Sequence, residues 1–385
     1  MSKQKDTILI NRPWIDEEER REVLDVLHEN TFTSASMDGG KRVRDFESLL
    51  RNYLHVKHVI AVNSGTAALH SALLASGIKQ DDEVLLPSFT FVATANSIIA
   101  AGAKPVFVDI NKEDYTISIS DLKSKITKRS KAVIPVHLYG HPSDMEDILD
   151  IANKSALDII EDACQSIGAT YKKKQTGTLG IMGCFSTYAS KVVTSGEGGA
   201  IATNDDNLAT TLKMIRNHGM VEGYDTRVFG LNLRLPEMSA AIAKVQIKKL
   251  PEMLSRRRRN AELLNEFLAK LVTEKKSDIL INLPQEIESE KKFNWYLYTV
   301  AFGRERNKIK DIMLNDNIGA TVYYNPPVHK TPYYEKLSIE SISTRTLANT
   351  EWASEHVLSL PVHPLVTEKD LDRIECSVKN ALYNV

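Results

Sequence analysis

The sequence of 385 residues predicts an α/β fold with a mostly parallel, seven-stranded sheet and helices on both faces. Segments rich in β-branched residues alternate with segments of helical periodicity, which is typical of such sheets. A helix is predicted at Glu17–Glu29, where an amphipathic pattern follows an Asp16-x-x-Glu19 capping box. The predicted strands lie at residues 59–62, 84–86, 106–108, 132–137, 158–162, 185–189 and 200–203.

The length and the 42% hydrophobic content allow a large core and predict two domains. Two helices, at 236–250 and 253–271, are predicted to meet at Pro251. A new strand–helix pattern begins at 293 and ends in a helix at 368–382. We therefore expect a large domain with an N-terminal arm at 1–250 and a smaller C-terminal α+β domain at 251–385.

The charge pattern excludes two classes of partner. A formal net charge of −1 gives no electrostatic footprint for nucleic acid or an anionic membrane. The one dense basic run, Arg256 to Arg259, is expected to form a solvated helix face. Residues 84–103 carry no charge, but their polar residues and Pro87 argue against a membrane span.

The composition also bears on location and metals. Residues 1–6 have no apolar signal core, and the three cysteines form no Cys-x-x-Cys motif. Both features predict a cytoplasmic protein. His137 and His141 are four residues apart, but Gly140 and Pro142 break any helix there, so no metal site is expected.

Lys191 and Asp162 form the most informative pair. Lys191 follows strand-type residues and precedes a Ser-Gly-Glu-Gly-Gly run, and Asp162 ends a predicted strand. Alone, either residue is more simply a surface lysine or a strand-end cap. Together they match pyridoxal phosphate (PLP) chemistry, which needs an amine for a Schiff base and a carboxylate at the pyridine nitrogen. Ligands of parallel sheets bind at the carboxyl ends of the strands, where Asp162 is placed.

Two further segments fit the same ligand. Ser64, Gly65 and Thr66 follow a β-rich segment and begin a helix, whose free N–H groups favour a phosphate. An ordinary helix cap explains this segment equally well. At residues 87–94 a strand meets a helix, and Phe91, in preference to Phe89, is chosen to stack on a flat ring.

Five segments in order, at 63–69, 87–94, 161–166, 191–199 and 230–235, resemble the fold-type I PLP-dependent sugar aminotransferases. These enzymes make amino sugars on nucleotide carriers. The resemblance extends from about Ile10 to the C-terminal helix. It implies a fold-type I structure in which the large domain binds PLP.

The resemblance assigns roles around the cofactor ring. Lys191 would form the Schiff base and later move a proton between the cofactor and the sugar carbon. Asp162 would bind the pyridine nitrogen. Gln165 would lie beside the 3′-oxygen of the ring, and Phe91 would stack on the ring.

The resemblance also assigns the phosphate contacts. Thr66, the backbone of Gly65 and Ala67, and the hydroxyl of Ser186 would hold the phosphate. Asn232 would reach the phosphate in the neighbouring subunit. The smallest active unit would therefore be a homodimer with shared sites.

The reaction implied is transamination. An amino acid, with glutamate as the expected donor, would aminate a keto-sugar linked to a nucleotide, for amino-sugar and surface-glycan biosynthesis. His329 and Tyr324 are the expected substrate contacts. The sugar, the nucleotide and the choice between C3 and C4 are left open, and a cyclitol-type ketone is an alternative acceptor.

Three other functions are compatible with parts of this pattern. A sugar dehydratase of this scaffold carries histidine in place of the Schiff-base lysine, so Lys191 argues against it. An amino-acid lyase or desulfurase is the second; a desulfurase needs a nucleophilic cysteine on a mobile loop, whereas Cys376 lies in a helical pattern. A non-catalytic regulatory protein would not need Lys191, Asp162 and Gln165 together.

Overall fold

The computed structural model describes residues 7–273, 280–287, 290–340 and 346–385; the N-terminal segment 1–6, for which the sequence predicts no signal core, lies outside them. The strands are β1 (His58–Val62), β2 (Glu83–Pro87), β3 (Lys104–Val108), β4 (Ser130–Val133), β5 (Asp158–Asp162), β6 (Thr170–Tyr171), β7 (Lys174–Gln175), β8 (Met182–Ser186), β9 (Gly199–Thr203), β10 (Leu280–Asn282), β11 (Lys291–Lys292), β12 (Tyr298–Phe302) and β13 (Val357–Leu360). The helices are α1 (Glu17–Glu29), α2 (Lys41–Leu54), α3 (Gly65–Ala75), α4 (Val92–Ala100), α5 (Ile119–Lys125), α6 (Met145–Ser155), α7 (Asp206–Arg216), α8 (Glu237–Leu271), α9 (Arg306–Asn315), α10 (Pro332–Glu340), α11 (Ala348–His356) and α12 (Glu368–Tyr383).

The main sheet of the described chain has seven strands in the order β1-β9-β8-β5-β4-β2-β3. Pairings from β8 through to β3 are all parallel, and β9 pairs antiparallel with both of its neighbours. Six strands therefore point the same way. This confirms the predicted mostly parallel α/β sheet. Their shared carboxyl edge brings together the loops after β1, β2, β5 and β8.

Both faces of this sheet are covered. In β1, Val59 and Ala61 pack with α2 and α8, while Ile60 and Val62 pack with α3 and α4. Successive residues of a strand point to opposite faces, so a strand buried on both faces has to be apolar throughout. That requirement explains the uninterrupted apolar run in the sequence.

Several predicted boundaries are confirmed and two strands differ. β5 and α1 have the predicted bounds, and the Asp16–Glu19 capping box is present. β4 ends at Val133, earlier than predicted, because Pro135 has no N–H to donate to a ladder. β8 covers 182–186 instead of 185–189, because the chain turns after Ser186: the Thr187 N–H donates to Gly198 O at 2.9 Å.

The prediction of two helices meeting at Pro251 is wrong. Helix α8 runs through Pro251 from Glu237 to Leu271. A proline inside a helix removes one hydrogen bond, but buried residues on both sides, Leu250 and Met253, keep the two turns packed on the same core. Helix packing therefore overrides the local break.

The apolar core changes along α8. The stretch from Ala240 to Leu250 packs with β1, β9 and α2, and the stretch from Ala261 to Leu271 packs with β12, β13, α9 and α12. The second core covers the sheet β10-β12-β13, which is the predicted α+β part. On this change of core we propose domains at 1–250 and 251–385, with a boundary inside a helix. Among the described residues, no helix is both long and apolar enough to cross a membrane.

The prediction that the arginine run forms a solvated helix face is also wrong for one residue. Arg257 is buried, at 2% exposure, whereas Arg256 and Arg259 form exposed ion pairs with Glu252 and Glu368. Four consecutive helical residues point around the whole circumference, because each is rotated by about 100° from the last. One arginine of such a run must therefore face the core.

Glu161, which precedes Asp162 in β5, fixes the carboxyl end of that strand. Its side chain is completely buried and accepts hydrogen bonds from the N–H groups of Gly177, Leu179 and Gly180 at 2.6–2.7 Å. His137 Nε2 lies 2.9 Å from the same carboxylate. The turn before β8 is thereby attached to β5.

We expect Glu161→Ala to lower the free energy of unfolding by about 3 kcal/mol or more, because it leaves three buried N–H donors without an acceptor. Urea denaturation followed by circular dichroism measures the loss. Glu252→Ala, which removes an exposed helical ion pair, is the control and should cost less than about 1 kcal/mol. Equal losses in the two variants would contradict the role given to Glu161.

Candidate active site

A cavity of about 650 Å³ opens at the carboxyl ends of the parallel strands. It is bounded by the residues that follow β1 and β2 and by those at the ends of β5 and β8. Eight of the predicted site residues line it: Gly65, Thr66, Phe91, Asp162, Gln165, Ser186, Lys191 and Tyr324. Residues distant in the sequence thus meet at one site, as the strand-end rule predicts.

Lys191 lies on the loop between β8 and β9. Two hydrogen bonds close the base of this loop. The Thr187 N–H donates to Gly198 O at 2.9 Å, and the hydroxyls of Thr187 and Ser195 are hydrogen-bonded at 2.6 Å. A Cβ atom at Gly198 would lie 2.4 Å from both hydroxyls, so this position requires glycine. The glycine-rich run therefore has a structural cause in addition to its place beside the lysine.

The Lys191 amine points at an aromatic ring. Its Nζ lies 4.6 Å from the centroid of Tyr296, within the range of a cation–π interaction. The Tyr296 hydroxyl lies 3.3 Å from Ser190 Oγ, next to the lysine. Tyr296 itself comes from the segment before β12 in the second half of the chain.

Asp162 is buried and held from two sides. Its Oδ2 accepts a hydrogen bond from Thr94 Oγ1 of α4 at 2.8 Å, and its Oδ1 accepts one from the Cys164 N–H at 3.1 Å. A carboxylate has about four lone-pair positions, so further acceptor capacity faces the cavity.

Burial and the neighbouring Asp162 raise the pKa of the Cys164 thiol well above its usual value. That thiol stays neutral, which argues against thiolate chemistry here.

The N-terminus of α3 forms another wall. Ser64 caps the helix by accepting from the Ala67 N–H at 3.1 Å. A Cβ atom at Gly65 would come within 2.8 Å of Ser186 Cβ and 2.9 Å of Cys164 Sγ. The absence of a side chain therefore lets the helix start approach the end of β8, where Ser186 also faces the cavity.

Phe91 and Gln165 also line the cavity. Phe91 is 54% exposed and lines the cavity, whereas Phe89 is completely buried, which agrees with the choice of Phe91. Gln165 accepts from the Tyr139 N–H at 2.9 Å, and its Nε2 donates to the Tyr324 hydroxyl at 3.3 Å. Burial raises the pKa of Tyr324 well above its usual value, so its hydroxyl stays protonated.

Three predicted residues do not line the cavity of this chain. The Ala67 N–H is already used by the Ser64 cap, so its phosphate contact stays a prediction. Asn232 is exposed. His329 lies in a short turn with its Nδ1 2.7 Å from Ser88 Oγ. Burial lowers the pKa of His329, and its substrate role stays a prediction.

Sequence reasoning missed several lining residues, among them Thr94, Glu197 and Tyr296. Thr94, which holds Asp162, lies within the predicted 87–94 segment, where a hydroxyl one helical turn after Thr90 was the available signal. Glu197 lies inside the glycine-rich run, where no neighbouring residue singles it out. Tyr296 had no local signal, because its position depends on contacts far away in the sequence.

The chain is similar to known proteins over nearly its whole length. The sequence matches the DegT/DnrJ/EryC1/StrS aminotransferase family over residues 13–379. It is 34% identical over 380 residues to GDP-perosamine synthase from Caulobacter vibrioides, covering 97% of this chain and 98% of that protein. It is 35% identical over 350 residues to a UDP-N-acetyl-3-dehydro-alpha-D-glucosamine 3-aminotransferase from Acidithiobacillus ferrooxidans, covering 91% of each.

One solved structure is similar over nearly the whole chain. DesV from S. venezuelae, in complex with a ketimine intermediate, has a TM-score of 0.88 and 31% identity, covering 97% of this chain and 99% of that chain. These matches confirm the predicted fold type and reaction class. This chain therefore belongs to the DegT/DnrJ/EryC1/StrS aminotransferase family, whose members are PLP-dependent enzymes.

Proposed function

We propose that this enzyme transfers the amino group of glutamate to a keto-sugar linked to a nucleoside diphosphate, for the biosynthesis of surface amino sugars. The observation that carries the proposal is the meeting of the Lys191 amine, the Asp162 carboxylate and the N-terminus of α3 in one cavity. The relatives named for GDP- and UDP-linked sugars support the class of acceptor. Because their nucleotides differ, we propose the class and leave the base open.

The residues present fit PLP. An amine, a carboxylate and a helix N-terminus are the groups that an aldehyde, a pyridine nitrogen and a phosphate require. Lys191 and Asp162 would hold the first two. Thr66, the backbone of Gly65 and the Ser186 hydroxyl would hold the phosphate. When bound, the cofactor supplies an aromatic electron sink.

The chain's own groups supply positioning and proton transfer. Asp162, held by Thr94 and the Cys164 N–H, presents a fixed negative charge at the place proposed for the pyridine nitrogen. Once free, Lys191 Nζ would be the base that accepts the proton of the donor carbon in the first half-reaction and that delivers a proton to the sugar carbon in the second. Phe91 limits ring movement on one side of the cavity.

The cavity has aromatic walls that suit a sugar. Tyr188, Tyr323 and Tyr324 line it with Phe91, and aromatic faces with hydroxyl tips bind the mixed apolar and polar faces of a sugar. Burial raises the pKa of Tyr323 to about 12, so its hydroxyl is a neutral hydrogen-bonding group at physiological pH. A cyclitol ketone would use the same walls, and it is the alternative acceptor.

We propose a homodimer with shared sites. Tyr224 and Phe229, 98% and 67% exposed, lie on the segment that leads to Asn232. Large apolar side chains exposed together mark contact surfaces. Asn232 does not cap α8, since the cap of that helix is Pro236. Its exposed side chain is therefore available to a partner.

The location we propose is the cytoplasm. Cys164, Cys184 and Cys376 are all free. Unpaired cysteines are typical of proteins in a reducing compartment. Cys376 lies in α12, so it does not supply the loop nucleophile that a desulfurase needs.

Lys191→Ala should abolish amination, with a loss on the order of a thousandfold or more, because the base and the covalent anchor disappear together. Mass spectrometry of keto-sugar nucleotides incubated with glutamate and PLP measures the aminated product. Lys248→Ala, at an exposed position of α8, is the control and should keep full activity. Wild-type product formation by Lys191→Ala would reject the proposed function.

Asp162→Asn should lower kcat by about 100-fold or more, because the shape is kept while the charge on the pyridine nitrogen is lost. Steady-state kinetics with glutamate measures the change. Asp158→Asn, at the other end of β5, is the matched control. A near-native rate for Asp162→Asn would mean that this carboxylate does not serve the cofactor.

Lys191→Ala and Asn232→Ala, each inactive alone, should recover about a quarter of the wild-type activity after mixing and subunit exchange. One of the two sites in a mixed dimer then contains an intact Lys191 and an Asn232 from the other subunit. Activity is measured before and after exchange, and light scattering reports the mass. An active monomer, or no recovery after proven exchange, would contradict shared sites.

A further inference from the structure

Tyr296 is the aromatic residue in contact with the Lys191 amine. Its ring centroid lies 4.6 Å from Nζ, and its side chain lines the same cavity. Within the ranges that the structure describes, no carboxylate lies at ion-pair distance from this amine. The ring face is therefore the group that attracts the amine in its charged form.

An aromatic face suits an amine that must be held and then released. The ring attracts an ammonium through its quadrupole, but it does not fix the direction of an N–H bond as a carboxylate does. A carboxylate partner would also favour the protonated form strongly. The ring leaves the lone pair of the neutral amine accessible, which a base requires.

The backbone of Tyr296 is fixed by two buried side chains. Arg257 of α8 donates to the carbonyls of Trp295 and Tyr296 at 3.0 and 3.1 Å. Asn294 Oδ1 accepts from the Tyr296 N–H at 2.9 Å. The Asn294 amide also donates to the Gln165 carbonyl at 2.9 Å, so the segment is attached directly to the cavity wall.

This arrangement carries a cost in stability. Arg257 is buried without a carboxylate partner among the described residues, and burial lowers its pKa to about 10. An unpaired buried charge is destabilising. Trp295 has a φ of +53°, which is rare for a large side chain. Such costs concentrate where function requires a fixed geometry.

We propose that Tyr296 is a further active-site residue, whose ring holds the free Lys191 amine during transfer, and that Arg257 is a positioning residue for that ring. The inference rests on the proposed function, because it assigns a partner to the base of that reaction. It adds a residue from the second half of the chain to the chemistry.

The test uses the full-length enzyme loaded with pyridoxamine phosphate, in which Lys191 is free. Its lysines are labelled by reductive ¹³C-methylation, and the Lys191 signal is assigned by its absence in Lys191→Ala. Because the amine lies over a ring face, its methyl signal should be shifted upfield by the ring current. Tyr296→Phe should keep this shift, and Tyr296→Leu should lose it.

The kinetic constants should separate the Tyr296 variants in the same way as the methyl signal. Tyr296→Leu should lower kcat roughly tenfold, with the KM for glutamate changed by less than about twofold, and Tyr296→Phe should stay within about threefold of wild type. Arg257→Lys should reduce both the shift and kcat, because the lysine side chain is one bond shorter and its amine does not reach the position of Arg257 Nη1, which bonds both carbonyls. Arg259→Lys, exposed on the same helix, is the control. If Arg257→Lys does not fold, Asn294→Ser tests the same anchoring.

The outcomes are separable. A retained upfield shift or a wild-type kcat in Tyr296→Leu would overturn the role of the ring. If Arg257→Lys, or Asn294→Ser in its place, behaved like Arg259→Lys in both measurements, the positioning role would be overturned. Turnover by Lys191→Ala would instead reject the proposed function, since the amine itself would then be dispensable.

Discussion

The paired carboxylates at the end of β5 are the constraint on which the rest of the site depends. Glu161 and Asp162 are neighbours on a strand, so their side chains point to opposite faces. Glu161 accepts the N–H groups of Gly177, Leu179 and Gly180, which lead into β8. Asp162 faces the cavity. Two consecutive residues of β5 therefore attach the turn before β8 to the sheet and place a negative charge in the cavity.

The direction of β9 explains where the amine lies. β8 and β9 are antiparallel neighbours, and the loop that joins them lies at the carboxyl edge of β8. Contacts between residues 187 and 195–198 close this loop at its base. Lys191 is thus carried by a short connection between two paired strands, while Asp162 is carried by the strand next to β8. The amine and the carboxylate are positioned by one sheet.

Much of this site could be predicted from the sequence, because its signals are local. The strand ending at Asp162 and the helix starting after Ser64 each show their own periodicity and cap, and eight predicted residues do line the cavity. The sequence-based predictions are wrong where packing against residues distant in the sequence decides the local structure. Pro251 breaks a helix by local rules, yet cores on both sides keep α8 continuous. Arg257 looks like part of a charged face, yet the helix turns it inward.

Tyr296 shows the same limit of local signals and what it means for the fold. It packs in the core of the first half of the chain, although β12, which follows it, belongs to the sheet of the second half. Asn294 bonds the same segment to the carbonyls of Gln165 and Ile167. The cavity is therefore closed by both halves at once. A displacement of the second half would move the ring beside Lys191 and the wall beside Gln165 together, so the stability of the contact between the halves is also a condition for the geometry of the base.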